Sequence, residues 1–93
     1  MPESADWKIV VHRRAEKALY RLPNDGIKRI RTAISNLAHN PRPEGCIKLT
    51  GYDNLFRVRV GDWRISYAIE EDQLVILIVE ISPRGGAYRT LKR

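Results

Sequence analysis

Two rhythms of apolar side chains divide this sequence. Between residues 13 and 40 they return every three or four positions, and from residue 55 onward they mostly return at every second one. In residues 13–22 (RRAEKALYRL), Ala15, Ala18, Leu19 and Leu22 fall at helical spacing. In residues 27–40 (IKRIRTAISNLAHN), Ile27, Ile30, Ile34, Leu37 and Ala38 form a second helical stripe. Residues 23–26 (PNDG) break the two, and Asn24 or Asp25 can cap the second helix. So short a connection sets the helices roughly antiparallel. Ahead of them, residues 7–12 (WKIVVH) read as a short β-branched strand, and behind them PRPEG ends the helical part. Residues 46–50 (CIKLT) suggest a short strand. Leu55–Val60, Trp63–Glu70 and residues 73–82 then read as three longer strands, followed by a loop (SPRGG) and the start of a last short helix (AYRTLKR). The order β-α-α-β-β-β predicts an α+β fold in which a two-helix hairpin packs on one face of a small, largely antiparallel sheet. The length suits one domain spanning residues 1–93.

The stretch LFRVRVGDWRISYAIE raises a question of charge. Gly61-Asp62 is a two-residue connection with glycine first, which suits a type II′ turn. Counting back from it sets Val60 opposite Trp63, Arg59 opposite Arg64 and Arg57 opposite Ser66. Side chains alternate across a sheet, so Phe56, Val58, Val60, Trp63, Ile65 and Tyr67 share an apolar face against the helices. Arg57, Arg59, Arg64 and Ser66 share the other. Like charges directly opposed cost stability, by an amount comparable to the roughly 0.2–1 kcal/mol a favourable pair contributes. Lysine, glutamate or threonine would serve a merely solvated face as well, and mixed signs would serve it better. Three arginines with no acid among them on this face call for an anion. The next strand, residues 74–81 (LVILIVEI), is apolar on both sides and is expected to be central and covered on both faces. It runs into Pro83, Arg84, Gly85, Gly86 and Tyr88. A loop leaving a central strand can return over the arginine face and bring Arg84 and Tyr88 to the cluster. Tyrosine beside arginines suits RNA, because an aromatic face stacks an unpaired base while guanidinium groups hold the phosphate.

Composition narrows the partners. Seventeen Lys and Arg against eleven Asp and Glu leave a net charge of +6, and twelve of the seventeen are arginine. Arginine's planar fork grips phosphate and carboxylate bidentately, so nucleic acid or an acidic protein is the expected partner. A solvated face accounts for Arg14, Lys17, Arg21, Lys28 and Arg31 on the helices. The single cysteine, Cys46, excludes an internal disulfide and a cysteine-based metal cluster. No stretch approaches the roughly 18 apolar residues of a transmembrane helix. The opening MPESADWK lacks the basic-then-apolar order of a secretory signal, so a cytoplasmic protein away from membranes is expected. His12 and His39 could suggest a two-histidine nuclease, but they end a strand and a helix and nothing pairs them. Asp53, Asp62, Glu70, Glu71 and Asp72 read as turn residues rather than a converging carboxylate set, so no metal or other cofactor is expected.

The segment from residue 47 to residue 89, IKLTGYDNLFRVRVGDWRISYAIEEDQLVILIVEISPRGGAYR, resembles toxins of the RelE/ParE superfamily of type II toxin–antitoxin systems, and most closely its RelE-like branch. The carrying features are KL-G followed by LFRVRVGDWRISYAI, with an arginine and then a tyrosine after the last long strand. The resemblance implies the RelE-like microbial RNase fold and an mRNA interferase: a ribosome-dependent endoribonuclease that cuts mRNA in the A site without a metal. It implies neutralisation by an acidic, RelB-like antitoxin, and binding of operator DNA through the antitoxin complex. By position it assigns catalytic roles to Arg64, Arg84 and Tyr88, and phosphate binding to Arg57 and Arg59, which stand where RelE-like members often carry lysines. The spacing from Arg84 to Tyr88 is shorter than in some members. Two alternatives stay open: a ParE-like inhibitor of DNA gyrase, and a basic nucleic-acid-binding module without catalysis.

Overall fold

The computed structural model describes residues 6–83. It contains β1 (Lys8–Val11), α1 (Arg13–Tyr20), α2 (Asn24–His39), β2 (Ile47–Lys48), β3 (Leu55–Val60), β4 (Trp63–Glu70) and β5 (Val75–Pro83). The strands form one sheet in the order β1-β5-β4-β3-β2. β1 runs parallel to β5, and every other pair is antiparallel. The two helices carry the chain from one edge of the sheet to the other across a single face.

Local chemistry sets the helix ends. His12 caps α1, its Nδ1 accepting from the Arg14 amide at 3.1 Å. α1 stops at Tyr20, two residues short of the pattern, because Pro23 disfavours helical backbone in the residue before it. α2 begins three residues earlier than expected. Neither Asn24 nor Asp25 caps it. Pro23 stands at the cap without a side-chain bond, and Asn24, Asp25 and Gly26 wind into the first turn. Gly26 acts there by close approach rather than as a breaker. A β-carbon on it would lie 3.4 Å from both Leu22 Cβ and Trp63 Nε1.

α1 packs chiefly on β5, and α2 on β1 and β3. Ala15, Leu19, Ile30, Ile34 and Leu37 from the helices meet Phe56, Ile65, Tyr67, Ile69, Ile76, Ile78 and Ile81 from the sheet. This is the apolar face the hairpin count assigned. The loop after α2 is fastened to it. The Tyr67 hydroxyl donates to the Pro41 carbonyl at 2.7 Å, and the Arg42 guanidinium lies 5.3 Å from the centre of the Phe56 ring. Burial pushes the Tyr67 phenol well above its ordinary pKa; neighbouring Cys46 adds to the rise and Arg42 opposes it.

β3 and β4 have the expected limits, and their register is the one counted from Gly61-Asp62. Gly61 sits at φ +61° and Asp62 at negative φ, as a type II′ turn requires. β2 shrinks to two residues, and β5 starts at Val75 because Leu74 turns the chain at φ +56°. β5 does lie inside the sheet, but among the described residues only one of its faces is covered by helices. Ile76, Ile78 and Ile81 are buried, whereas Leu77 and Val79 are half-buried. Helices on one side of an antiparallel sheet leave the other side partly open. No helix among the described residues is long and apolar enough to cross a membrane.

Candidate functional site

The open face of β3, β4 and β5 carries two rows of paired residues. Nearest the turn, Arg59 faces Arg64, which faces Ser82; one row further, Arg57 faces Ser66, which faces Glu80. Ile47 extends the second row onto β2. The hairpin thus brings Arg57, Arg59 and Arg64 to one side of the sheet, as counted.

Their surroundings differ. Arg57 is half-buried, and its Nε is enclosed with no hydrogen-bond partner among the described residues. A buried polar donor left unpaired costs about 1–3 kcal/mol, more when charged, so such an atom asks for an explanation. Arg57 lines a recess of about 410 Å³ together with Ser66, Glu80, Val79, Leu55 and the exposed ring of Tyr52. Arg64 is half-buried on the same face. Arg59 is exposed, and its Nε donates back to the Gly61 carbonyl at 3.2 Å. It lines a different groove of about 490 Å³ between α2 and β3, with Lys28 and Arg29 at its rim and Leu37, Val58 and Val60 within it. The structure therefore separates Arg59 from the recess that holds Arg57.

The acid-free face expected from the hairpin is corrected by the third strand. Strict alternation along β5 would put Ile76, Ile78 and Glu80 on one face and Ile81 on the other. Between Ser66 and Tyr67 the β4–β5 register shifts: Tyr67 pairs with Ile78 and Ser66 with Glu80, which leaves Val79 as an extra residue. A bulge of this kind re-aims side chains. Ile81 returns to the core opposite Ile65, and Val79 and Glu80 both line the arginine side. The one signal in the sequence is the uneven step from Ile76 and Ile78 to Ile81. Tyr52 was likewise missed, because nothing local ties a loop tyrosine to strands that come later.

Arg84 and Tyr88 lie outside the described residues. The two histidines have separate local partners: His12 caps α1, and His39 Nδ1 sits 2.8 Å from Asp6 Oδ1. Glu70 accepts from Asn54 at 3.4 Å, and Glu71 pairs with Arg42 at 2.8 Å, so both fasten loops. Among the described residues no three His, Cys, Asp or Glu side chains are grouped to hold a metal ion.

With this geometry in hand, the chain can be set beside known proteins. The family described as the ParE toxin of the type II toxin–antitoxin system parDE matches residues 9–88. A curated relative from Methanocaldococcus jannaschii, named for the toxin RelE1, is 35% identical over 86 residues, covering 89% of this chain and 96% of that protein. The archaeal RelE–RelB complex of Pyrococcus horikoshii contains a chain that superposes with a TM-score of 0.77 at 32% identity, over 86% of this chain and 97% of that one. The intact E. coli RelBE complex gives a TM-score of 0.74 at 16% identity, covering 83% and 95% of the respective chains, and speaks for the fold alone.

Proposed function

Because this chain belongs to the RelE/ParE family of type II toxin–antitoxin toxins, we propose that it is a ribosome-dependent endoribonuclease that cuts mRNA in the A site and halts translation in the cytoplasm. One observation carries this reading: Arg57, Arg59 and Arg64 share a sheet face in register, and Arg57 keeps a buried Nε without a partner among the described residues. An unpaired buried donor costs stability, and a bound backbone phosphate offsets that cost.

In the proposed reaction the 2′-hydroxyl of one nucleotide attacks the adjacent phosphate, leaving a cyclic phosphate and a free 5′-hydroxyl, without a metal or cofactor. Negative charge builds on the phosphoryl oxygens in the transition state, where fixed guanidinium donors stabilise it. Arg64 and, by the resemblance, Arg84 take that role. Arg57 holds a neighbouring phosphate in the recess. Arg59, tied to its own turn, adds a more peripheral contact. Tyr88 stacks on or orients the base, or takes part in proton transfer. The partner that silences the toxin is an acidic RelB-like antitoxin, a reading supported by the RelE–RelB complexes among the relatives. The groove between α2 and β3, basic at its rim and apolar within, suits an acidic amphipathic segment. Operator DNA is reached through the antitoxin complex.

A second reading, inhibition of DNA gyrase, is favoured by the ParE description of the matching family. Mapping mRNA 5′ ends on translating ribosomes after expression separates the two. Cuts between codon positions are expected, and Arg64→Ala or Arg84→Ala should each lower cleavage by about 10²–10³-fold. Intact mRNA with a DNA-damage response would favour gyrase, and intact mRNA with normal growth would leave only nucleic-acid binding.

A further inference from the structure

The arginines leave the proposed reaction without a proton acceptor, because a guanidinium keeps its proton in proteins. We infer that Glu80 is the general base, delivered to the arginine face by the β5 bulge. This inference rests on the ribonuclease reading above. Glu80 is the one carboxylate among the described residues that line the recess. It stands two strands from Arg57, in the row Arg57–Ser66–Glu80. Neighbouring strands lie about 4.8 Å apart, so roughly 10 Å separates the two Cα positions. Only the small Ser66 lies between, which leaves room for a ribose and its phosphate. No ion pair or hydrogen bond to another described residue occupies Glu80, whereas the nearby Glu70 and Glu71 are both engaged.

The step needs only the RNA, Glu80 and water. Arg57 holds the neighbouring phosphate, and the exposed Tyr52 ring at the rim offers a face to an adjoining base. Glu80 takes the proton of the 2′-hydroxyl as its oxygen forms the new bond to phosphorus. The bond from phosphorus to the 5′-oxygen breaks, and that oxygen takes a proton from solvent. Placing the acid here required the bulge: on an unbroken strand Glu80 would share the face of Ile76 and Ile78, and Ile81 would be turned outward. Among the described residues, the charged and ionisable groups on the elements beside Glu80 are Arg57 of β3, Arg64 diagonally across on β4, Tyr52 of the loop, and His12 at the end of β1, whose amide bonds the Ile78 carbonyl at 2.8 Å.

The test is single-turnover cleavage of a defined mRNA on translating ribosomes across pH, with wild type, Glu80→Gln, Glu80→Asp and His12→Asn. Glu80→Gln should cut about 10²–10⁴-fold more slowly and lose the fall in rate at low pH that marks protonation of the base. Glu80→Asp should keep that fall and part of the rate. His12→Asn retains a capping side chain and should keep both. Unfolding curves and binding to ribosomes carrying 2′-deoxy mRNA should not move in Glu80→Gln. A Glu80→Gln protein that cuts at the wild-type rate, or keeps the wild-type pH profile, overturns the assignment. A wild-type protein that cuts nothing overturns the ribonuclease reading and the role of Glu80 with it.

Discussion

Tyr67 and Arg57 show how one hairpin sends adjacent rows to opposite duties. Tyr67 is fully buried on the helix side and spends its hydroxyl on Pro41; Arg57 looks the other way and keeps an unpaired Nε. The raised Tyr67 pKa carries a sign that can be measured. The folded state holds the phenolic proton more tightly than the unfolded chain, whose tyrosine titrates near pH 10. Its contribution is therefore complete below about pH 10 and is lost as pH climbs above that. At neutral pH Tyr67→Phe should cost about 1 kcal/mol for the lost bond to Pro41. Above about pH 10 the gap between wild type and Tyr67→Phe should narrow, by up to about 1.4 kcal/mol per pH unit. Urea unfolding at a series of alkaline pH values measures that gap; a constant difference would show that the phenol does not titrate with unfolding.

Turns and a bulge decide what the strands present. Gly61 lies at φ +61°, where a side chain is strained, and Arg29 Nη1 would meet its β-carbon at 2.9 Å. The Arg29 contact involves the flexible end of a side chain, so the backbone term dominates. Gly61→Ala should destabilise by about 1–2 kcal/mol. Leu74 sits at φ +56° and is 56% exposed, which stores the same strain with little return of burial. Leu74→Gly should stabilise by a few tenths to about 1 kcal/mol, because relief of the strain outweighs glycine's greater loss of freedom on folding. Thermal melts of the two variants should shift in opposite directions. A stabilised Gly61→Ala would contradict the turn geometry, and an unchanged or destabilised Leu74→Gly would mean that the Leu74 side chain does more than turn the chain.

For the whole molecule, a charge of +6 and one arginine-bearing open face predict RNA binding that weakens as salt rises. Each phosphate contact on a single strand adds about 0.7 to the steepness of log affinity against log salt. Filter binding of single-stranded RNA over a salt series should show Arg57→Ala lowering the steepness by about that amount. Lys17→Ala, on an exposed position of α1, should leave it unchanged. Equal effects from both would mean that general charge, not the recess, holds the RNA.

Much was legible in the sequence because it depends on short-range rules. Helical spacing found α1 and α2. Alternation about Gly61-Asp62 gave the full β3–β4 register, the apolar face and the common side of Arg57, Arg59 and Arg64, since a two-residue turn leaves no freedom in the count. The start of α2 was misplaced because Gly26 reads locally as a breaker, while its use depends on Trp63, far along the chain. The acid on the arginine face was invisible for a similar reason. A bulge is set by how β5 docks on β4 and on the helices, so only the tertiary structure turned Val79 and Glu80 outward and Ile81 inward. The same packing drew Arg59 away from Arg57, because a long side chain's final reach follows the groups around it and not its place in the pleat.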